Sequence, residues 1–65
     1  MNTEKIARTL IELRGKRSQE EVAKAYGVSV SAVKMYESGK RVPRDEIKVK
    51  IANFYKKTIE SIFFA

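Results

Sequence analysis

Three glycines, Gly15, Gly27 and Gly39, punctuate this chain at even intervals of twelve residues. Each follows a stretch with helical periodicity, the place where a glycine ends a helix cheaply by taking a left-handed backbone. The stretches between them do not resemble one another, so the even spacing marks short helices with regular stops, not an internal repeat. No segment of useful length alternates with a period of two, and no strand is expected. What remains is an all-α bundle of short helices. With 65 residues it is expected to be a single domain over 1–65, burying about 60% of the surface its unfolded chain exposes.

The residue types narrow the chemistry. There is no cysteine and no histidine, which removes disulfides, thiolate metal sites, the commonest general base and the commonest neutral metal ligand. So short a chain has no room for a deep cleft walled by separate layers. No enzyme activity, cofactor, metal or small-molecule substrate is therefore expected. No apolar run approaches the roughly 20 residues that span a bilayer. The N-terminal MNTEKIARTL has neither an h-region nor a cleavage site, so the expected location is the cytoplasm. The net charge is +6, and residues 14–44 carry most of it, with eight basic residues against three acidic ones. An excess gathered in one segment favours a polyanionic partner.

Helix starts and stops follow from local chemistry. A first helix is expected from Thr3 to Arg14, capped by Asn2 or Thr3, with Ile6, Leu10 and Leu13 as its buried stripe. Ser18-Gln-Glu-Glu21 is a capping box: the Ser18 hydroxyl accepts from the Glu21 amide while the Glu21 carboxylate reaches back. It opens a second helix that turns Val22, Ala23 and Tyr26 inward and stops at Gly27. Ser29 caps a third helix that ends before Gly39. Between these two lie only Gly27, Val28 and Ser29, a three-residue turn with glycine first, which is the helix-turn-helix connection. Val28 fills the angle. Pro43 marks a stop and restart. A fourth helix is expected over about Asp45 to Tyr55, with Ile47, Ile51, Phe54 and Tyr55 on one side and Asp45 and Glu46 in its first turn. Thr58 caps a short fifth helix carrying Ile59, Ile62 and Phe63.

On a helical wheel with Val33 inward, Tyr36 and Glu37 lie within about 60° of it. The opposite side carries Ser31, Lys34, Met35 and Ser38, with Val30 near the start. That face is small, mostly uncharged and adaptable, where a merely solvated helix would show Glu–Lys pairs. Short donors, one long cation and apolar groups suit the edges of bases in a major groove. Groups suited to phosphate flank it. Gln19 and Ser29 stand at helix starts with free backbone amides. Arg14, Lys16 and Arg17 cluster before the second helix, and Lys40, Arg41 and Arg44 cluster after the third. Ser31-Ala-Val-Lys34 matches the S-x-x-K of penicillin-recognising enzymes, but the rest of that signature is missing. The acid pairs Glu20-Glu21 and Asp45-Glu46 fall at helix starts, where the dipole accounts for them.

SQEEVAKAYGVSVSAVKMYESGKRVP resembles the Cro/CI-type (XRE-like) helix-turn-helix family of phage and bacterial transcriptional regulators. The matching residues are Ser18-Gln19, Val22-Ala23, Gly27-Val28-Ser29, Val33, Tyr36-Glu37-x-Gly39-Lys40-Arg41 and Pro43. The likeness runs on through Ile51-Ala52 to Thr58-Ile-Glu-Ser-Ile-Phe63. It implies a compact lambda-repressor-like bundle of five helices whose third helix reads DNA. Base contacts are implied for Val30, Ser31, Lys34 and Met35. Phosphate contacts are implied for Gln19, Ser29, Ser38, Lys40 and Arg41, and the basic clusters add Arg17 and Arg44. Three positions depart from the pattern. Tyr36 replaces the usual tryptophan. The link Gly15-Lys-Arg-Ser18 is shorter than the common form, although the family's pairing of a first-helix arginine with the third-helix glutamate would here join Arg14 to Glu37. Lys56-Lys57 replaces a Gly-Val type turn before the last helix.

The expected function is a sequence-specific double-stranded DNA-binding regulator, a repressor, working in the bacterial cytoplasm on the nucleoid. One module makes few base contacts, so a homodimer on an inverted repeat is expected, with Phe64 and a neighbour as an apolar contact patch. The competing readings are a protein-interaction module on the same fold, such as an antitoxin or adaptor, and a sequence-neutral DNA coat.

Overall fold

Asn2 opens the first helix: its Oδ1 accepts the Lys5 amide at 3.1 Å, and Glu4 sits in the first turn, where the helix dipole favours a negative charge. That helix, α1 (Thr3–Arg14), buries Ile6, Ala7 and Leu10 along one face. The computed structural model, which describes residues 2–64, continues with α2 (Gln19–Tyr26), α3 (Val30–Ser38), α4 (Asp45–Tyr55) and α5 (Ile59–Phe63). No strand occurs among the described residues. The bounds agree with those expected because most starts are fixed by a side-chain oxygen. Ser18, Ser29 and Thr58 accept the amides of Glu21, Ala32 and Ser61 at 3.0–3.1 Å. Arg44 caps α4 without a side-chain bond. There the buried Pro43 sets the entry, and Asp45 and Glu46 complement the dipole.

The capping box forms only by half. The Glu21 carboxylate does not return to the Ser18 amide but lies 4.0 Å from Arg17 Nε. At an exposed helix start solvent can satisfy the amide, so the nearby cation is the stronger attraction for the carboxylate.

One core joins all the helices: Leu10 of α1, Val22 and Tyr26 of α2, Val33 of α3 and Ile51 of α4 are sealed from solvent, with Ile62 and Phe63 of α5 closing the base. In this arrangement α1 lies against α3 and α5, α2 against α3 and α4, and α4 against α5. Val28 packs against the core from the α2–α3 turn, and Leu13 is half-buried at the end of the α1 stripe.

One expectation about α4 is corrected. Phe54 is 36% exposed, while Lys48 is buried on the packed side. Lys48 stands three residues before Ile51, so the helical repeat brings it to the core face. Its stem is covered, and its ammonium sits 5.8 and 5.2 Å from the ring centroids of Phe63 and Phe64 and 3.4 Å from the exposed Asp45 carboxylate. A lysine tolerates this because its charged end reaches aromatic faces and an anion at the rim. Phe54 instead completes an edge-to-face trio with Tyr26 and Tyr55, at centroid separations of 4.9–6.3 Å.

Three helices end in the same paired bond. Beyond α2, the Val28 amide reaches the Ala23 carbonyl at 3.0 Å and the Gly27 amide the Lys24 carbonyl at 3.2 Å. Lys40 to Met35 and Gly39 to Tyr36 repeat the pattern after α3, and Lys57 to Ala52 and Lys56 to Asn53 repeat it after α4. This is the Schellman ending, which requires a left-handed residue. Gly27 and Gly39 supply it for α2 and α3, but at α4 the residue is Lys56, with φ of 56°. A left-handed L-residue costs roughly 1–2 kcal/mol. Lys56→Gly should therefore raise stability by about 0.5–1 kcal/mol once glycine's extra unfolded-state entropy is deducted. Denaturant midpoints at unchanged m-value measure this, and a destabilised variant would contradict the strain.

Tyr26 and Tyr55 share a hydroxyl–hydroxyl bond. Burial is the leading cause that pushes both phenols above the ordinary tyrosine value of 10.0. The fold thus favours their neutral forms. Their contribution is whole below pH 10.0, and above it the unfolded chain releases the protons first, so stability falls as pH rises. Helical circular dichroism followed alongside tyrosinate absorbance should show the phenols of Tyr26 and Tyr55 ionising together with unfolding, not before it.

Candidate nucleic-acid interface

The helix-turn-helix consists of α2, the Gly27–Ser29 turn and α3. Val33 and Tyr36 anchor α3 in the core, and the wheel then forces the opposite side outward. Ser31, Lys34, Met35 and Ser38 are exposed there, and together with Lys40 they line a shallow, open concavity of about 360 Å³. Met35 keeps 38% of its surface in solvent, a large exposure for an apolar side chain at the middle of a short helix.

Three of the four residues expected at base edges thus share one surface, and the fourth stands apart. Val30 is half-buried and packs against the core. It precedes Val33 by three residues, about 60° from it on the wheel, so it belongs in part to the buried side. Lys40 is the lining residue that sequence reasoning placed only in the flanking loop. The Met35 carbonyl draws it in, accepting the Lys40 amide at 3.1 Å, the Arg41 amide at 3.3 Å and the Ser38 hydroxyl at 3.1 Å. These bonds fasten the start of the basic loop to the last turn of the helix it flanks.

Behind the outward face lies a polar bracket. The Glu37 side chain is only 6% exposed, and its Oε2 lies 2.8 Å from Arg14 Nε. Its Oε1 accepts from Gln19 Nε2 at 3.1 Å. Arg14 also donates from one terminal nitrogen to the Arg17 carbonyl at 2.9 Å. The hydrogen bond to Glu37 holds the Arg14 guanidinium still more firmly protonated than usual. The short link after α1 therefore does not prevent the Arg14–Glu37 pair: it folds Arg17 back beneath the same guanidinium. One carboxylate joins α1, α2 and α3.

The bracket bears on the residues singled out for phosphate contact. The Gln19 amide is engaged by Glu37. Arg17 donates to the Leu13 and Arg14 carbonyls at 3.4 and 3.5 Å and lies 5.4 Å above the Phe54 ring and 5.9 Å from that of Tyr55. Arg44 is open to solvent but 3.6 Å from Glu46. The Ser29 hydroxyl caps α3. Lys34, Lys40 and Arg41 are exposed and make no ion pair among the described residues.

The sequence profile of the helix-turn-helix family matches residues 5–62. The chain belongs to the Cro/CI-type helix-turn-helix family. Its members are DNA-binding regulators and generally not enzymes. No curated protein and no solved structure matches the chain. The matched span runs from the first turn of α1 into α5, so the helix-turn-helix and the helices that brace it fall within one family pattern. Among the described residues, no helix is long and apolar enough to cross a membrane.

Removing the carboxylate tests the bracket. Glu37→Ala leaves a half-buried guanidinium and a side-chain amide without their acceptor and should cost about 2–3 kcal/mol, below the figure for a fully buried pair because Arg14 keeps some water. Glu37→Gln, which can still accept one of the two bonds, should cost less. Equal losses in urea unfolding would show that the bracket contributes only packing.

Proposed function

We propose that this protein regulates transcription by sequence-specific binding to double-stranded DNA, with α3 set in the major groove, and that it acts as a repressor. The observation that carries this reading is the open concavity on α3. It is lined by Ser31, Lys34, Met35, Ser38 and Lys40 and bordered by Arg41, and among the described residues no carboxylate pairs with Lys34, Lys40 or Arg41. Such a surface offers cations to phosphate and short or apolar groups to base edges.

In this reading Ser31, Lys34 and Met35 touch bases, and Val30 does so only from its exposed edge. Lys40, Arg41, Ser29 and Ser38 hold the phosphates. Arg17 and Arg44 join them by giving up the contacts they now make, and Gln19 joins them through the free backbone amide at its helix start while its side chain stays on Glu37. The protein acts as one DNA-binding unit, and two copies bind an inverted repeat with their reading helices about 34 Å apart. Phe64, 59% exposed, and Val49 on α4 supply apolar surface for that pairing. A regulator of this kind works where the chromosome is, in the cytoplasm of a bacterium.

Salt dependence separates this from the adaptor reading. Binding that neutralises about six phosphates should weaken roughly a thousandfold between about 50 and 200 mM salt, whereas capture of a protein partner through apolar surface should change little. Lys40→Ala should weaken all DNA sequences alike and make the salt slope shallower by about one. A shift in base preference would overturn its phosphate role.

A further inference from the structure

Each base edge asks for a particular kind of side chain. Adenine is read by the paired donor and acceptor of an amide, cytosine by a carboxylate, guanine by arginine or lysine, and the thymine methyl by an apolar group. The helix-turn-helix and its flanking loops, residues 14–44, contain one amide side chain, Gln19. Its Nε2 is held 3.1 Å from Glu37 Oε1. Glu37, the acid on α3, is itself held by Arg14. Arg14 and Arg17 are engaged by that pair and by the Phe54 ring. The Ser38 hydroxyl donates to the Met35 carbonyl of its own helix.

The groups left free on the outward side of α3 are the Lys34 ammonium, the Met35 thioether and the Ser31 hydroxyl. All three line the concavity. At 1.5 Å of rise per residue, Ser31 and Met35 are separated by about 6 Å along the helix. With base pairs stacked every ~3.4 Å, so short a face meets roughly two to three of them.

We propose that the directly read core of each half-site is this short and has a fixed chemistry: a guanine whose O6 and N7 accept from Lys34 Nζ, beside a thymine whose methyl packs on Met35. No adenine or cytosine is read through a paired amide or carboxylate contact. The proposal rests on α3 occupying the major groove, as argued above, and extends that reading to the bases it selects.

The test uses the full chain. Sites are selected from random double-stranded DNA, and the recovered site is remade with single replacements. Deoxyuridine in place of the contacted thymidine removes only the methyl and should weaken binding about fourfold, the value of one buried methyl-sized group. Deazaguanine lacking N7 should weaken it at least about fivefold. Each penalty should vanish in one variant only, the methyl effect in Met35→Ala and the N7 effect in Lys34→Ala. Both side chains are exposed, so unchanged melting curves would confirm that the variants fold.

A recovered motif that responds to neither replacement overturns the proposal and leaves the major-groove reading standing. So does a motif dominated by adenine and lost in Gln19→Ala, which would mean that Gln19 leaves Glu37 for a base. Recovery of no motif at all, with DNA still bound, overturns the sequence-specific function as well.

Discussion

Glu37 lies on α3 behind the side chains that face outward, and both of its oxygens are taken from within the protein. Arg14 of α1 holds one at 2.8 Å and Gln19 of α2 the other at 3.1 Å. The hydrophobic core orients α3 only coarsely, since Val33 and Tyr36 are its two buried residues and Val30 and Ala32 pack against the core only in part. Apolar contacts are non-directional. Hydrogen bonds to a fixed carboxylate are directional, and they set the angle at which Ser31, Lys34 and Met35 leave the surface. A carboxylate placed so far inside must be paired, because an uncompensated charge there costs several kcal/mol. The motif's geometry and its dependence on Arg14 are therefore one fact.

A second constraint is length. Helices of eight or nine residues, such as α2 and α3, are unstable alone in water, since nucleation is costly and few bonds follow it. Their ends must then be satisfied by the chain itself. Side-chain caps fix the starts of α1, α2, α3 and α5, and paired left-handed endings close α2, α3 and α4. The ending of α3 also serves the interface, because the carbonyl that closes the helix positions Lys40 and Arg41. Structural economy and site building share the Met35 carbonyl.

The helix bounds were legible in the sequence because caps and glycine stops are local signals that need no knowledge of the fold. The outward face of α3 was legible for the same reason, a wheel oriented by one apolar residue. Val30 was only half legible: a position near the edge of the buried stripe is assigned by neighbours that the wheel does not show. Phe54 left its expected place, and Lys48, for which no place was expected, was buried, because a heavily charged helix face gives no clue that a lysine stem will be covered by rings fifteen and sixteen residues along the chain. The second partner of Glu37 had no sequence signal at all. Gln19 reads as a phosphate donor by its place at a helix start, and its contact to Glu37 spans two helices. The Lys56 ending was visible as a departure from a glycine-like turn, but its left-handed φ could be seen only in three dimensions.

These features together divide the labour of recognition. In the proposed reading, the face that meets bases carries one free cation, so its own electrostatic attraction to DNA is small. The loop beyond it carries Lys40 and Arg41, unpaired among the described residues and tied to the helix end by backbone bonds. Cations on such a loop attract every sequence equally, and their strength is set by salt and not by bases. Discrimination is left to a few side chains whose contacts are individually weak. A narrow reading face with a single cation makes few contacts, and two such faces acting together are the simplest way to regain specificity.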